Sequence, residues 1–417
     1  MRIAMIGPFG LRRKGTSRAR LLPMAQSLAE RGHQVDVVLP PWDSPEDSAW
    51  QTMMGLVPVR HTRLPPATPG LFGLLLCCRL VREALASRPE VVHCFKPKAY
   101  AGAAAFALWY AARLGLTRAR VVLDTDDWEG RGGWNEMGSY SRAQRALFSY
   151  QEQWGLGHCH ALTVASRALE TLAWSRGVPR EKVSYVPNGW QDTAANVSGM
   201  SAGHSGTTSV LLVTRFIEFD IRWLVDVWEE VIRRMPGAVL SVVGKGLSGE
   251  ERLLQEMVEA RRLARSVEYL GWLEGDDLLD CEQETQLAIF PYDDTLVNRT
   301  KCSARLVQLM ASGLPTIATD VGQNREYIEH GLSGWLVPAD DSGAFAAAVV
   351  GLLRDEELRS RLGQGAKERI LSEFSWDKLV ERVEKAYLGA LGQVNETSSN
   401  ELEAATWLDS NRTKTVQ

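Results

Sequence analysis
The chain is 417 residues long, more than one ordinary core, and its 45% hydrophobic and 24% charged content is that of a folded protein, not a disordered one. The opening run MRIAMIGPFG has no secretory h-region, and the apolar stretches at residues 70–81 and 99–112 fall short of the ~20 residues that span a bilayer. Net charge is −4, but residues 1–192 hold 24 Lys and Arg against 16 Asp and Glu, and the remainder 23 against 35. A balance of +8 in the first half predicts an anionic partner, an acidic lipid surface or a phosphorylated acceptor, with ordinary solvated arginines as the alternative.

RIAMIG reads as a strand closed by glycine, SRARLLPMAQSLAERGH as a helix, and QVDVVLP as the next strand. The rhythm repeats through VVHCF, the Ala-rich helix, RVVLDTDD, a helix near residues 140–153, ALTVAS and VSYVPNG. Residues 192–208 turn small, polar and aperiodic, as a linker does. Then SVLLVTRF, a helix through residues 223–235, AVLSVVGKG, VEYLGW, LAIFPY, a helix holding Gln308, and PTIATD restart it. The expected fold class is α/β, with two Rossmann-like lobes facing across a cleft. We divide the chain into a first Rossmann-like lobe (1–192), a linker (193–208), a second Rossmann-like lobe (209–375), a final helix (376–391) and a disordered polar tail (392–417). Six scattered cysteines without zinc or disulfide spacing point to a reduced, cytoplasmic protein. His158 and His160 share a strand face, but two imidazoles alone are poor evidence for a metal.

In open α/β sheets ligands bind beyond the carboxyl ends of the strands. After the first strand, Gly15 and Thr16 precede a helix whose free N–H groups suit a phosphate or carboxylate. After the strand in RVVLDTDDWEG come Asp124, Asp126, Asp127 and Trp128. Carboxylates beside indoles suit a sugar-bearing acceptor, and Asp124-x-Asp126 raises a divalent cation as the alternative. In the second lobe Arg215, Gly244 and Gly246 follow strands. Lys301, Ser303 as N-cap, Arg305 and Gln308 then combine a helix start, fixed positive charge and a polar amide, which suits a nucleoside diphosphate.

These stretches, with LVQLMASGLPTIATDVGQNREYIEHGLSGWLVP and FSWDKLVERVEKAY, resemble the retaining glycosyltransferases of the GT-B fold in glycosyltransferase family 4, over roughly residues 1–390. The resemblance implies sugar transfer from a nucleotide-diphosphate sugar to a glycan or lipid-linked acceptor. It also implies retention at the anomeric carbon, no required cofactor or metal, and a terminal helix crossing back to the first lobe. Residues 376–391 supply that helix. The family's paired glutamates fall on Thr300 and Gln308, so both acids are absent; Gln308 stands where the family grips the ribose. Its diphosphate clamp matches at Arg215, but its lysine position is Asp220, and Lys301 is expected to supply that charge. His93 matches the first histidine of a His-x-His pattern, which implies a contact with the donor sugar, the alternative being a buried strand-end histidine. Glu326 matches a glutamate near the donor, the alternative being a helix-surface charge. Asp126 or Asp127 is expected to orient the acceptor hydroxyl. Rival readings are a non-catalytic sugar-nucleotide-binding protein, or partner subunit, and a nucleotide-sugar 2-epimerase. No nucleic-acid module is recognisable. The expected location is the cytoplasm, with peripheral attachment to the inner face of the membrane as the alternative to a free protein.

Overall fold
The computed structural model describes residues 1–12, 15–68, 70–138, 140–191 and 208–393. The expected linker, apart from Thr208, and the polar tail beyond Gln393 lie outside the described residues, as do Arg13 and Lys14.

Strands β1 (Arg2–Ile6), β2 (Gln34–Leu39), β3 (Gln51–Met54), β4 (Val57–His61), β5 (Val91–Phe95), β6 (Arg120–Thr125), β7 (Ala161–Val164) and β8 (Val183–Tyr185) form the first sheet, ordered β3-β4-β2-β1-β5-β6-β7-β8. All neighbours are parallel except β3, which pairs antiparallel with β4 at the edge. Strand β5 is buried at every position, as expected where helices cover both faces of a parallel sheet. Helices α1 (Leu22–Glu30), α2 (Phe72–Leu85) and α3 (Ala99–Arg113) make the crossovers, the last two being the apolar stretches too short to span a bilayer. No described helix is long and apolar enough to cross a membrane.

The second sheet holds β9 (Ser209–Thr214), β10 (Val239–Gly244), β11 (Val267–Gly271), β12 (Leu287–Phe290), β13 (Thr316–Thr319) and β14 (Trp335–Val337), ordered β11-β10-β9-β12-β13-β14 and parallel throughout. Each sheet is doubly wound, with the β1–β5 and β9–β12 boundaries as switch points. The closing helix, Trp376–Leu391, does not stay with the second sheet. Its Trp376, Leu379, Val383 and Tyr387 lie in one buried cluster with Ile3, Val37 and Phe95 of the first. The chain crosses between lobes twice side by side, with Trp190 N–H donating to the Phe374 carbonyl at 2.8 Å and Trp376 N–H to the Trp190 carbonyl at 2.8 Å.

Candidate active site
A cleft of about 850 Å³ opens between the carboxyl ends of the two sheets. Its second-lobe wall is built from strand ends. Strand β9 delivers Arg215, and the next residue, Phe216, takes φ 63, its N–H donating to Thr214 Oγ1 at 2.7 Å. That left-handed turn is uncommon for a residue with a Cβ and swings the chain away from the sheet. Glu218 follows; one of its oxygens accepts from Thr214 Oγ1 (3.0 Å) and from the N–H groups of Arg215 and Ile217 (3.2 Å each), and the other pairs with Lys301 Nζ. Burial alone would raise the Glu218 pKa, but Lys301 and these donors hold it below the ordinary value.

Beyond Lys301 a helix runs Ala304–Ala311. Ser303 caps it, its Oγ accepting from Leu306 N–H at 3.3 Å, and Leu306, Val307, Leu309 and Met310 bury its inner face. Lys301, Ser303, Arg305 and Gln308 all line the cleft. Arg305 Nη1 donates to Gln308 Oε1 at 2.8 Å and approaches Glu282 at 3.3 Å, while Gln308 Nε2 donates to Glu282 Oε1 at 3.2 Å. Gln308 therefore sits in a small charged network. Its amide oxygen keeps a second lone pair for a hydroxyl donor.

On the first-lobe wall, Gly15 and Thr16 lead into a single wide π-helical turn, Ser17–Leu21, and line the cleft with Asp126 and Asp127. Thr16 Oγ1 donates to Asp126 Oδ2 at 2.5 Å. Lys96, just past β5 and at φ 59, brings its ammonium to 3.0 Å from Asp126 and from Asp127 and to 3.1 Å from Glu129; Lys98 Nζ meets Glu129 at 2.8 Å. Burial works against both aspartates, yet they part. Lys96, the Thr16 hydroxyl and Arg20 take Asp126 below the ordinary carboxyl value, whereas for Asp127 burial, with repulsion from Asp126 and Glu129, outweighs Lys96 and raises it. Behind them Glu152 is fully buried, and burial beside Glu129 pushes its pKa up to about 8.

Several residues predicted at the site lie elsewhere. His93 is completely buried, held between Tyr387 Oη (2.8 Å) and Thr163 Oγ1 (3.1 Å), and does not reach the donor side of the cleft. Asp124 is also fully buried; both its oxygens bind Arg20, at 2.8 and 2.6 Å, and one accepts from Thr163. Asp124-x-Asp126 thus has no convergent free oxygens for a cation, and no group of three potential ligands occurs among the described residues. Trp128 is a core residue whose Nε1 donates to the Arg131 carbonyl; the indoles at the cleft are those of Trp42, Trp134 and Trp272. Gly244 is packed against β9, where a Cβ would lie 1.9 Å from the Thr214 carbonyl oxygen, and Gly246 donates its N–H to Glu251; neither lines the cleft. Glu326 faces Arg167 at 3.8 Å and is not a cleft residue. Thr300 is buried with its hydroxyl turned back to the Leu296 and Val297 carbonyls, and Asp220 caps a helix through Arg222 N–H at 2.9 Å.

Residues not predicted also belong to the site: Lys96, Lys98, Glu129, Asn188, Glu218 and Trp272. Lys96 and Glu218 fall just past strands β5 and β9, so the strand-end rule that selected Arg215 applies to them equally.

Residues 207–355 match the family model described as glycosyl transferases group 1, and residues 15–189 the one described as glycosyl transferase 4-like domain. The phosphatidyl-myo-inositol mannosyltransferase of Mycobacterium leprae is 24% identical over 396 residues, 93% of this chain and 96% of its own. Among solved structures, the catalytic domain of starch synthase IV from Arabidopsis thaliana, bound to ADP and acarbose, superposes with TM-score 0.69 at 16% identity, covering 94% of this chain and 99% of its own. Anabaena HepE in complex with UDP and glucose gives TM-score 0.65 at 16% identity, over 92% and 98%.

Proposed function
Because the chain belongs to the GT4-like glycosyltransferases of the GT-B fold, we propose that its cleft moves a sugar from a nucleotide-diphosphate sugar to a hydroxyl of a glycan or lipid-linked acceptor, with retention at the anomeric carbon. The observation that carries this reading is the meeting, in one cleft, of Arg215, Lys301 and the Ser303-capped helix start with Thr16, Asp126 and Asp127 opposite.

In this reading the diphosphate lies against Arg215 and Lys301, beside the free N–H groups of the helix start. As the bond from the anomeric carbon to the phosphate oxygen breaks, the charge arriving on that oxygen meets cations already in place. The acceptor oxygen bonds to the anomeric carbon from the face that the phosphate leaves, and its proton passes to the departing phosphate. No protein nucleophile is assigned. Asp127 accepts a hydrogen bond from the acceptor hydroxyl and orients it. Gln308 accepts from a ribose hydroxyl, with less charge assistance than a carboxylate would give. Trp272, exposed at the rim with Arg215 over its ring at 5.8 Å, offers a face to the base. The names of the mannosyltransferase relative and of the UDP-bound neighbour support a lipid acceptor and a nucleotide donor respectively. The +8 balance of the first lobe supports a cytoplasmic protein held peripherally at an anionic membrane face.

The test is thermal unfolding with UDP, GDP, ADP and TDP and their common sugars, each with and without EDTA. One nucleotide is expected to stabilise the protein without regard to EDTA, by roughly 2.7 kcal/mol at a hundred times its dissociation constant. Stabilisation by none of them would overturn the donor site. Binding without turnover over a panel of acceptors would favour a non-catalytic sugar-nucleotide-binding protein.

A further inference from the structure
Six buried polar side chains to which the transfer reading gives no role form one hydrogen-bonded line across the molecule. It begins on the closing helix, where Tyr387 Oη meets His93 Nδ1 at 2.8 Å. His93 Nε2 meets Thr163 Oγ1 at 3.1 Å, and Thr163 donates to Asp124 Oδ2 at 2.6 Å. Arg20 donates Nε and Nη2 to Asp124, and Nη1 to Asn188 Oδ1 at 3.2 Å. Asn188 crosses between the lobes. Its Nδ2 donates to the Cys302 carbonyl at 2.7 Å, its N–H meets Cys302 Sγ at 3.2 Å, and its own carbonyl accepts from Tyr327 Oη at 2.7 Å.

The directions of these bonds agree with one another. Thr163 gives its single proton to Asp124, so it accepts from His93 Nε2–H, and His93 Nδ1 must then accept from Tyr387. That is a neutral histidine, in keeping with the burial that drives its pKa well below the ordinary value. Each link from Tyr387 to Cys302 thus has a donor and an acceptor, and this satisfied geometry fixes orientation as well as distance.

Both ends of the Arg20–Asn188 segment adjoin the cleft. Arg20 lies one turn beyond Thr16, which holds Asp126; Cys302 sits between Lys301 and Ser303. A buried Arg–Asp pair is weak evidence for stability, since desolvation offsets most of its attraction, but it fixes where its partners lie. We propose that Arg20 and Asn188 are positioning residues, which set the Lys301–Ser303 corner of the second lobe against the Thr16–Asp126 wall of the first. Their effect on turnover rests on the transferase reading, whereas their effect on local order does not.

Asn188→Asp keeps the size of the side chain and its contact with Arg20 but replaces the donor to the Cys302 carbonyl with an acceptor. Arg20→Lys keeps a cation for Asp124 and lacks the fork that also reaches Asn188. Hydrogen–deuterium exchange of the substrate-free protein is expected to quicken over residues 300–307 in both variants, with the rest of the second sheet unchanged. With UDP-glucose or GDP-mannose, kcat is expected to fall by roughly 10- to 100-fold, as for a small misplacement of reacting groups, while the donor KM stays within about twofold. The double variant should cost little more than either single one, because both break the same link. Unchanged exchange at 300–307 in Asn188→Asp would overturn the proposal, as would additive losses or a rise in KM that matches the fall in kcat. If Arg20→Lys does not fold, Asn188→Asp alone decides. Failure of the wild type to turn over either donor counts against the transfer reading, and the exchange measurement still decides this one.

Discussion

Lys301 is held by opposite charge on one side and aromatic rings on the other, with the Tyr292 ring centre at 5.2 Å and that of Trp134 at 5.8 Å. Burial opposes its charge, but Glu218 and Tyr292 outweigh burial and keep its pKa above the ordinary lysine value, so the ammonium persists at any working pH. Lys301→Met would strand the Glu218 carboxylate in the interior, a loss of about 3–5 kcal/mol when one partner of a buried pair is removed. Pairing it with Glu218→Gln should recover most of that stability without restoring affinity for UDP. Calorimetric titration with UDP separates the two effects, and an unchanged dissociation constant in the double variant would remove Lys301 from the phosphate clamp. Lys301 was legible in the sequence because it precedes an N-cap serine. Glu218, four residues past β9, falls under the strand-end rule, but nothing in the sequence shows that its partner is Lys301, 83 residues away. Asp124 and Asp126 differ more subtly. The first is still within β6, where helices cover both faces, and the second is one step beyond it. Two residues apart in sequence, one is core and the other faces the cleft, and no alternation of apolar and polar residues marks the difference because all of β6 past Arg120 is buried.

The elements themselves followed from periodicity wherever a strand was central or a helix amphipathic. The edge hairpin β3–β4 was not predicted. Its strands are short, QTMM at the edge is half-exposed, and Pro58 of VPVRH stands one residue before β4 begins to pair with β2 at Val59, so its missing N–H breaks no bond there. The predicted helix at residues 140–153 appears as Arg142–Gly157, started by a capping box between Ser141 and Gln144. At the double crossing between lobes, Gly189 allows the two segments to touch. A Cβ there would lie 2.7 Å from the Phe374 carbonyl oxygen and 2.6 Å from Leu379 Cδ1. Backbone cannot give way as a flexible side chain can, so Gly189→Ala is expected to separate residues 374–376 from 188–190 and unseat the start of the closing helix. A lower melting temperature together with faster amide exchange across Trp376–Leu391 is the expected result. A melting curve and exchange pattern matching wild type would show that the crossing tolerates the methyl group.

At the scale of the molecule, the strand–helix rhythm reveals two sheets, but how they face each other depends on contacts between residues more than a hundred positions apart, such as Ser166 Oγ donating to the Thr300 carbonyl at 2.7 Å. The charge split, by contrast, can be read directly from the sequence. The +8 half carries on one exterior helix face Leu71, Leu74 and Leu75, exposed by 50%, 61% and 39%. That face adjoins the cleft mouth through aromatic contacts, Phe72 to Tyr100 at 6.0 Å and Tyr100 to Trp42, which lines the cleft, at 6.3 Å. Positive charge beside exposed leucines is the combination that adsorbs to an anionic bilayer, the charge acting within about 10 Å at 0.1 M salt and the leucines by burial. The protein should therefore co-sediment with vesicles containing phosphatidylglycerol and not with pure phosphatidylcholine, and the bound fraction should fall as salt rises. A Leu74→Glu, Leu75→Glu variant should bind less at every salt concentration while keeping its UDP-induced thermal shift, because neither leucine lines the cleft. Equal binding to both vesicle types would show that the charge split plays no part, and binding unaffected by the two glutamates would place the contact on another face of the lobe.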